Sequence, residues 1–139
     1  MSKPPRSEQW SDLEAEFNNR WLQFAPTAPI PEHNVIGLIP GRKHEVDFLW
    51  RESKVIVEME GATWLGGRGG HTSGKGFEDD CEKYDTLTAM GYRVFRLTRG
   101  MIRKDPIRWI ALISVLVEPV RVYTNSKWVT WGQWEKEQK

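Results

Sequence analysis

Four carboxylates, Glu45, Asp47, Glu58 and Glu60, lie in a stretch that otherwise reads as two strands joined by a turn. The runs His44–Trp50 and Val55–Glu60 are rich in β-branched and aromatic residues, and Arg51-Glu52-Ser53-Lys54 separates them. With Glu52 and Ser53 at the tip, counting back along an antiparallel pair sets Asp47 opposite Glu58 and Glu45 opposite Glu60. Directly opposed side chains sit about 5 Å apart at Cβ, where like charges repel. A sheet that places Asp against Glu therefore needs compensation, and a divalent cation provides it. Mg2+ takes one or two carboxylates together with waters and phosphate oxygens, and in such a site it activates water and stabilises the leaving oxygen of a phosphodiester. The competing reading is a solvated acidic face, with Glu45 and Glu60 paired to Lys43, Arg51 or Lys54 in surface ion pairs worth about 0–1 kcal/mol. The register decides between them, because a slip of one residue would part Asp47 from Glu58.

The elements that must position these groups follow from periodicity. Alternation puts Val46, Phe48, Trp50, Val55, Val57 and Met59 on the opposite face, the surface that packs on the core. Upstream, Ser11-Asp12-Leu13-Glu14 has the form of a capping box, and Leu13, Phe17, Trp21 and Phe24 recur at helical spacing, which predicts a helix over about Asp12–Phe24. Pro26, Pro29, Pro31 and Pro40 make the next segment extended, with a short strand near Val35–Leu38. After Gly61 the glycines Gly66, Gly67, Gly69, Gly70, Gly74 and Gly76 mark a long loop. Phe77, Cys81, Tyr84, Leu87 and Met90 then form a helical stripe that stops at Gly91. Tyr92–Thr98 reads as a strand, and Asp105-Pro106 opens an apolar helix that runs to about Val117 and ends before Pro119. Helix, hairpin, helix, strand, helix is the order of an α/β domain with a mixed central β-sheet flanked by helices.

Composition sets the outer limits. The 139 residues, 39% hydrophobic and 28% charged, suit one domain, with a core over about 11–118 and a Trp-rich tail over 119–139. A net charge of +1 excludes a uniformly basic nucleic-acid coat and a polyanion-like acidic surface, so any charge logic is local. The single cysteine, Cys81, excludes an intramolecular disulfide and a cysteine-rich zinc site. No apolar run approaches a membrane span and the first ten residues carry no apolar signal core, so the expected location is the cytoplasm of a bacterium or a phage-infected cell, with no membrane partner. Of the eight tryptophans, Trp21, Trp50 and Trp109 fall on core stripes. Trp128, Trp131 and Trp134 are expected to fold back on the domain or to contact a second copy.

In their order and spacing, Val46-Asp47-Phe48, Val55-Ile56-Val57-Glu58-Met59-Glu60-Gly61, the loop with His71, Asp80 with Lys83, and Gly91-Tyr92-Arg93-Val94-Phe95-Arg96 resemble a known pattern. It is that of the restriction-endonuclease-like PD-(D/E)xK superfamily, and most nearly that of small phage and bacterial proteins of the very-short-patch-repair type. The match covers about Ser11–Thr98. The resemblance implies a restriction-endonuclease-like core in which Asp47, Glu58 and the Met59 carbonyl hold Mg2+ or Mn2+, with Glu14 leaning in from the first helix. Glu60 stands where the commonest form of the motif has a lysine that positions or deprotonates the attacking water and offsets charge. Three replacements come to hand: Glu60 as base or second-metal ligand, Lys83 from the following helix, and His71 as general acid or base. Lys83 also reads as a salt-bridge partner of its acidic helix neighbours, and His71 as a loop histidine without chemistry.

Gly69–Lys75 fits the G-x-x-x-x-G-K part of a phosphate loop, but Gly76 follows where Ser or Thr should bind Mg2+, so no nucleotide cofactor is expected. Arg68, His71 and Lys75 are better placed to contact DNA phosphates, as are Arg42 and Lys43 just before the Asp47 strand; the alternative for the glycine loop is a solvated, flexible segment. Trp64 reads either as a core residue or as a candidate for stacking on unpaired or kinked bases. The expected function is a metal-dependent DNA endonuclease, nicking or structure-selective, acting on branched or mismatched DNA such as Holliday junctions in phage or bacterial DNA processing, as a monomer or a symmetric dimer. The rival is a non-catalytic DNA-binding or assembly module on a decayed nuclease fold, and no residue excludes RNA as the substrate.

Overall fold

The computed structural model describes residues 2–61, 74–119 and 121–139. Trp64, Arg68, His71 and four of the loop glycines lie outside the described residues. The capping box forms as read: Ser11 Oγ accepts from the Glu14 amide at 3.1 Å and Glu14 Oε2 accepts from the Ser11 amide at 3.3 Å. Two orphan donors are satisfied in this way, and α1 runs Asp12–Phe24. Strands β1 (Glu32–Ile36), β2 (Glu45–Trp50), β3 (Val55–Glu60) and β4 (Arg93–Thr98) form one sheet in the order β1-β2-β3-β4. The first three are antiparallel in sequence, and β4 lies parallel to β3. The crossover that a parallel pair requires carries α2, Gly74–Ala89. Beyond β4 come α3 (Arg99–Lys104) and α4 (Pro106–Val117), the latter opened by Asp105, whose side chain accepts from the Arg108 amide. The fold is thus mixed α/β, with a four-stranded mixed sheet and helices on both faces.

The hairpin has the register counted from its tip: Phe48 pairs with Val57, Leu49 with Ile56 and Trp50 with Val55. The turn takes all of Arg51–Lys54, with Lys54 at φ +55°. The acidic face, which the competing reading leaves open to solvent, is covered by α2. Leu49 and Ile56 share its parity with Asp47 and Glu58, and they are fully buried with Leu87 of α2 and with Ile39 and Val46. On the other face Phe48, Trp50, Val55 and Val57 pack on Phe17 and Trp21 of α1 and on Ile110, Ile113 and Val117 of α4. Val46 leaves its expected company for the α2 side.

Other expectations shift locally. The strand placed near Val35–Leu38 is β1, two to three residues earlier, and its Asn34 adopts φ +50°. Gly74 and Gly76 belong to α2 rather than to the loop. Only Tyr84, Leu87 and Met90 of the predicted stripe pack inward, and Phe77 and Cys81 are exposed. The Trp-rich tail is ordered as a two-stranded ribbon, β5 (Arg121–Thr124) and β6 (Lys127–Thr130), followed by α5, Trp131–Glu137. Among the described residues no helix is long and apolar enough to cross a membrane.

Candidate active site

Asp47 and Glu58 meet where β2 and β3 stop exchanging backbone hydrogen bonds. The backbone pairing between these strands runs as far as Phe48 with Val57, and beyond it side chains take over the main-chain donors. Glu58 Oε2 accepts from the Asp47 amide at 3.1 Å, and Asp47 Oδ2 accepts from the Met59 amide at 2.7 Å. Each carboxylate is thereby held against the other's strand, and no amide there is left without an acceptor. Glu58 is buried. Burial first, and then the charge of Glu58, push the Asp47 carboxyl up from 3.8 to about 7, against the opposing pull of the Met59 amide. The charge of Glu14 acts on Asp47 in the same direction.

The surrounding groups come from other elements. Lys83 reaches from α2 to pair with Glu58 Oε1 and donates to the Glu45 carbonyl at 2.6 Å. It therefore bridges both strands beside the carboxylate pair, and a salt bridge confined to its own helix does not describe it. Glu60 accepts from Arg96 Nε on β4 at 2.6 Å, and the Arg96 guanidinium lies over the Tyr84 ring at 4.5 Å. Burial beside Glu58 and Glu60 raises the Tyr84 hydroxyl far above its ordinary value, so it stays protonated. Glu45 is paired as its surface reading expects, but with a different cation: Arg6 grips it through two contacts of 2.7 Å. Arg51 instead pairs with Glu32, and Lys54 donates to the Met90 carbonyl. Arg42 and Lys43 are exposed ahead of β2, and Lys75 is exposed at the start of α2, 4.0 Å from Asp79. Trp64, Arg68 and His71 fall outside the described residues.

Sequence reasoning missed His33. Its Nε2 lies 2.6 Å from Glu14 Oε1 and its Nδ1 lies 2.8 Å from the Ser7 carbonyl, with both side chains of the pair buried. A carbonyl only accepts, so Nδ1 carries a hydrogen, and the short contact to Glu14 requires one more shared proton. Trp10 stacks over the imidazole with ring centroids 3.6 Å apart and planes 8° from parallel. Glu14 is thus fixed by Ser11 and His33 at the flank of the carboxylate pair. His33→Ala should strip the buried Glu14 of that partner and lower unfolding free energy by roughly 2–4 kcal/mol, read by urea denaturation. Adding Glu14→Gln, which needs no counter-charge, should return part of the loss; no return would mean that the pair is not the source.

Among the described residues no three His, Cys, Asp or Glu side chains converge as a metal cluster. Two carboxylates and a backbone carbonyl nonetheless fit a hard cation that keeps several waters, and the mutual repulsion of Asp47 and Glu58 is what such a cation relieves. The sequence matches no protein-family model, no curated protein and no solved structure.

The raised Asp47 pKa has a definite sign. A carboxyl whose pKa rises on folding favours the fold in its protonated form. That contribution is complete below about pH 4 and is withdrawn as pH climbs through 7. At about 1.4 kcal/mol per decade the full change is roughly 4 kcal/mol. In EDTA, therefore, the unfolding free energy of Asp47→Asn should gain on the wild type between pH 5 and pH 8. A difference that does not change with pH would contradict the burial of Asp47 beside Glu58.

Proposed function

We propose that the chain is a metal-dependent DNA endonuclease on a restriction-endonuclease-like core, cutting phosphodiesters by nicking or in a structure-selective way. The observation that carries the reading is the opposition of Asp47 and Glu58, each bound to the other's strand, with the Asp47 carboxyl pushed up to about 7. When bound, Mg2+ or Mn2+ would lower the pKa of a coordinated water and stabilise the departing oxygen. Asp47 and Glu58 would hold the ion with the Met59 carbonyl, and Glu14, fixed by His33, adds negative charge at the flank.

The role that the resemblance gives to a lysine at the Glu60 position passes in this reading to Lys83. Its ammonium touches Glu58 from the neighbouring helix, so it is in place to orient the attacking water and offset charge on the phosphate. Glu60 is held by Arg96 and serves to anchor that guanidinium. Arg42, Lys43 and Lys75 supply backbone phosphate contacts, which position a duplex without reading its sequence. Cleavage of supercoiled, branched and mismatched DNA in Mg2+ or Mn2+ tests the reading: Asp47→Asn should be inactive, and equal cutting by both proteins would reject the site.

One observation favours the rival, a non-catalytic DNA-binding or assembly module. Lys83 already supplies a positive charge to Glu58 without any ion. Calorimetric Mn2+ titration separates the two: binding that Glu58→Gln abolishes supports the nuclease, and the same weak heat from both proteins supports the module.

A further inference from the structure

The ribbon β5–β6 displays an exposed aromatic pair that the proposed chemistry leaves unused. Its strands pair Arg121 with Thr130, Val122 with Val129, Tyr123 with Trp128 and Thr124 with Lys127, around Asn125 and Ser126 at φ +49° and +62°. Two central residues with positive φ give the tight type I′ turn that suits the twist of a hairpin. Because side chains alternate, Arg121, Tyr123, Trp128 and Thr130 share one face, and Val129 of the other face is buried. Tyr123 is 61% and Trp128 66% exposed, with ring centroids 5.2 Å apart. The whole segment from Pro119 to Trp134 contains Arg121 and Lys127 and no Asp or Glu.

We infer that this face is a stacking platform for unpaired bases of the DNA strand being processed. Cross-strand contact between the rings helps hold the ribbon together, but that would be equally well served with the rings covered. Two large aromatic rings left in water beside an arginine, on a segment bare of carboxylates, match a polyanion that carries flat apolar surfaces. Base stacking on aromatic side chains supplies about 1–3 kcal/mol per base, independent of sequence. The ribbon leads into α5, whose Gly132 lies beside Glu52 of the β2–β3 turn. Glu52 lies five positions along the chain from Asp47, about 16 Å in an extended conformation. A single stacked strand covers that span in about five nucleotides. The inference rests on the nuclease reading for the identity of the polymer and gives that reading a substrate preference: DNA with an unpaired stretch next to the scissile bond.

The test is binding by fluorescence anisotropy, in EDTA, of a labelled 20-nucleotide oligo(dT) and of a labelled 20-base-pair duplex to the full chain. Tyr123→Ala/Trp128→Ala should weaken oligo(dT) binding at least tenfold and change duplex binding less than threefold. Tyr123→Phe/Trp128→Phe, which keeps both π faces, should restore oligo(dT) binding. Circular dichroism of each variant checks that the ribbon is folded; if the Ala variant is unfolded, Tyr123→Leu/Trp128→Leu, which keeps apolar bulk without π faces, takes its place and should show the same selective loss, and unchanged oligo(dT) binding in it overturns the platform. Unchanged oligo(dT) binding in a folded Ala variant, or an equal loss for both DNAs, overturns the platform. A wild-type dimer that the Ala variant converts to monomer, with DNA binding unaltered, also overturns it and assigns the face to a second copy. Because no cutting occurs in EDTA, the outcome is independent of whether Asp47→Asn abolishes hydrolysis.

Discussion

Asp47→Asn is expected to lower metal-dependent DNA cleavage by roughly a thousandfold or more, about 4 kcal/mol of lost transition-state stabilisation, while leaving the fold as stable as before or more so. The amide keeps the shape of the carboxylate and an oxygen able to accept from the Met59 amide at the 2.7 Å contact. What it removes is one of two negative charges held side by side out of water. Without metal that charge works against the fold, as the rise of the Asp47 carboxyl to about 7 records; in the proposed site it is one of the two carboxylates that would hold the ion. Activity and stability should therefore move in opposite directions, the pattern of a site strained for function. Plasmid cleavage in Mg2+ set beside urea denaturation in EDTA reads both at pH 8. A variant that lost activity and stability together would point to a structural carboxylate.

Much of the architecture that makes this expectation possible was legible in local sequence, for identifiable reasons. The hairpin register depended on where the turn is centred, and a four-residue turn around Glu52 and Ser53 preserves the count that a two-residue tip gives. Helix α1 announced both ends, through its capping box and its apolar spacing. The covering of the acidic face was written in Leu49 and Ile56, which share the parity of Asp47 and Glu58 and are too apolar for a solvent face. The positions not read are those fixed by distant contacts. His33 lies among prolines and polar residues with no periodicity, and its role depends on Glu14, nineteen residues away. Arg6 finds Glu45 across thirty-nine residues. The aromatic ribbon was hidden because Asn125-Ser126 is a weaker turn signal than Asn-Gly, although both residues take the left-handed conformation that such a turn requires.

Lys83, one of the three replacements the sequence offered for the missing lysine, makes the most consequential long-range contact, and Lys83→Met should separate its two roles. The lysine and Glu58 side chains are 13% and 6% exposed, so removing the ammonium leaves Glu58 buried beside Asp47 without its ion-pair partner. Breaking a buried pair from one side costs roughly 3–5 kcal/mol, and in EDTA the variant should show that loss in urea denaturation. Saturating Mn2+ should return part of it, because an ion that binds only the folded state adds its binding energy to stability, and in this variant it also supplies the missing positive charge. Cleavage in Mn2+ should nonetheless fall about a hundredfold, since the ion restores the fold and leaves the attacking water without its ammonium partner. Lys83→Arg tests geometry at constant charge. A planar fork does not readily serve the Glu45 carbonyl and Glu58 Oε1 from the position of a single ammonium, so stability should largely return and activity should not. If Lys83→Met instead cuts DNA at the wild-type rate once Mn2+ has stabilised it, Lys83 is a tie between α2 and the sheet, and the chemistry must draw its cation from elsewhere.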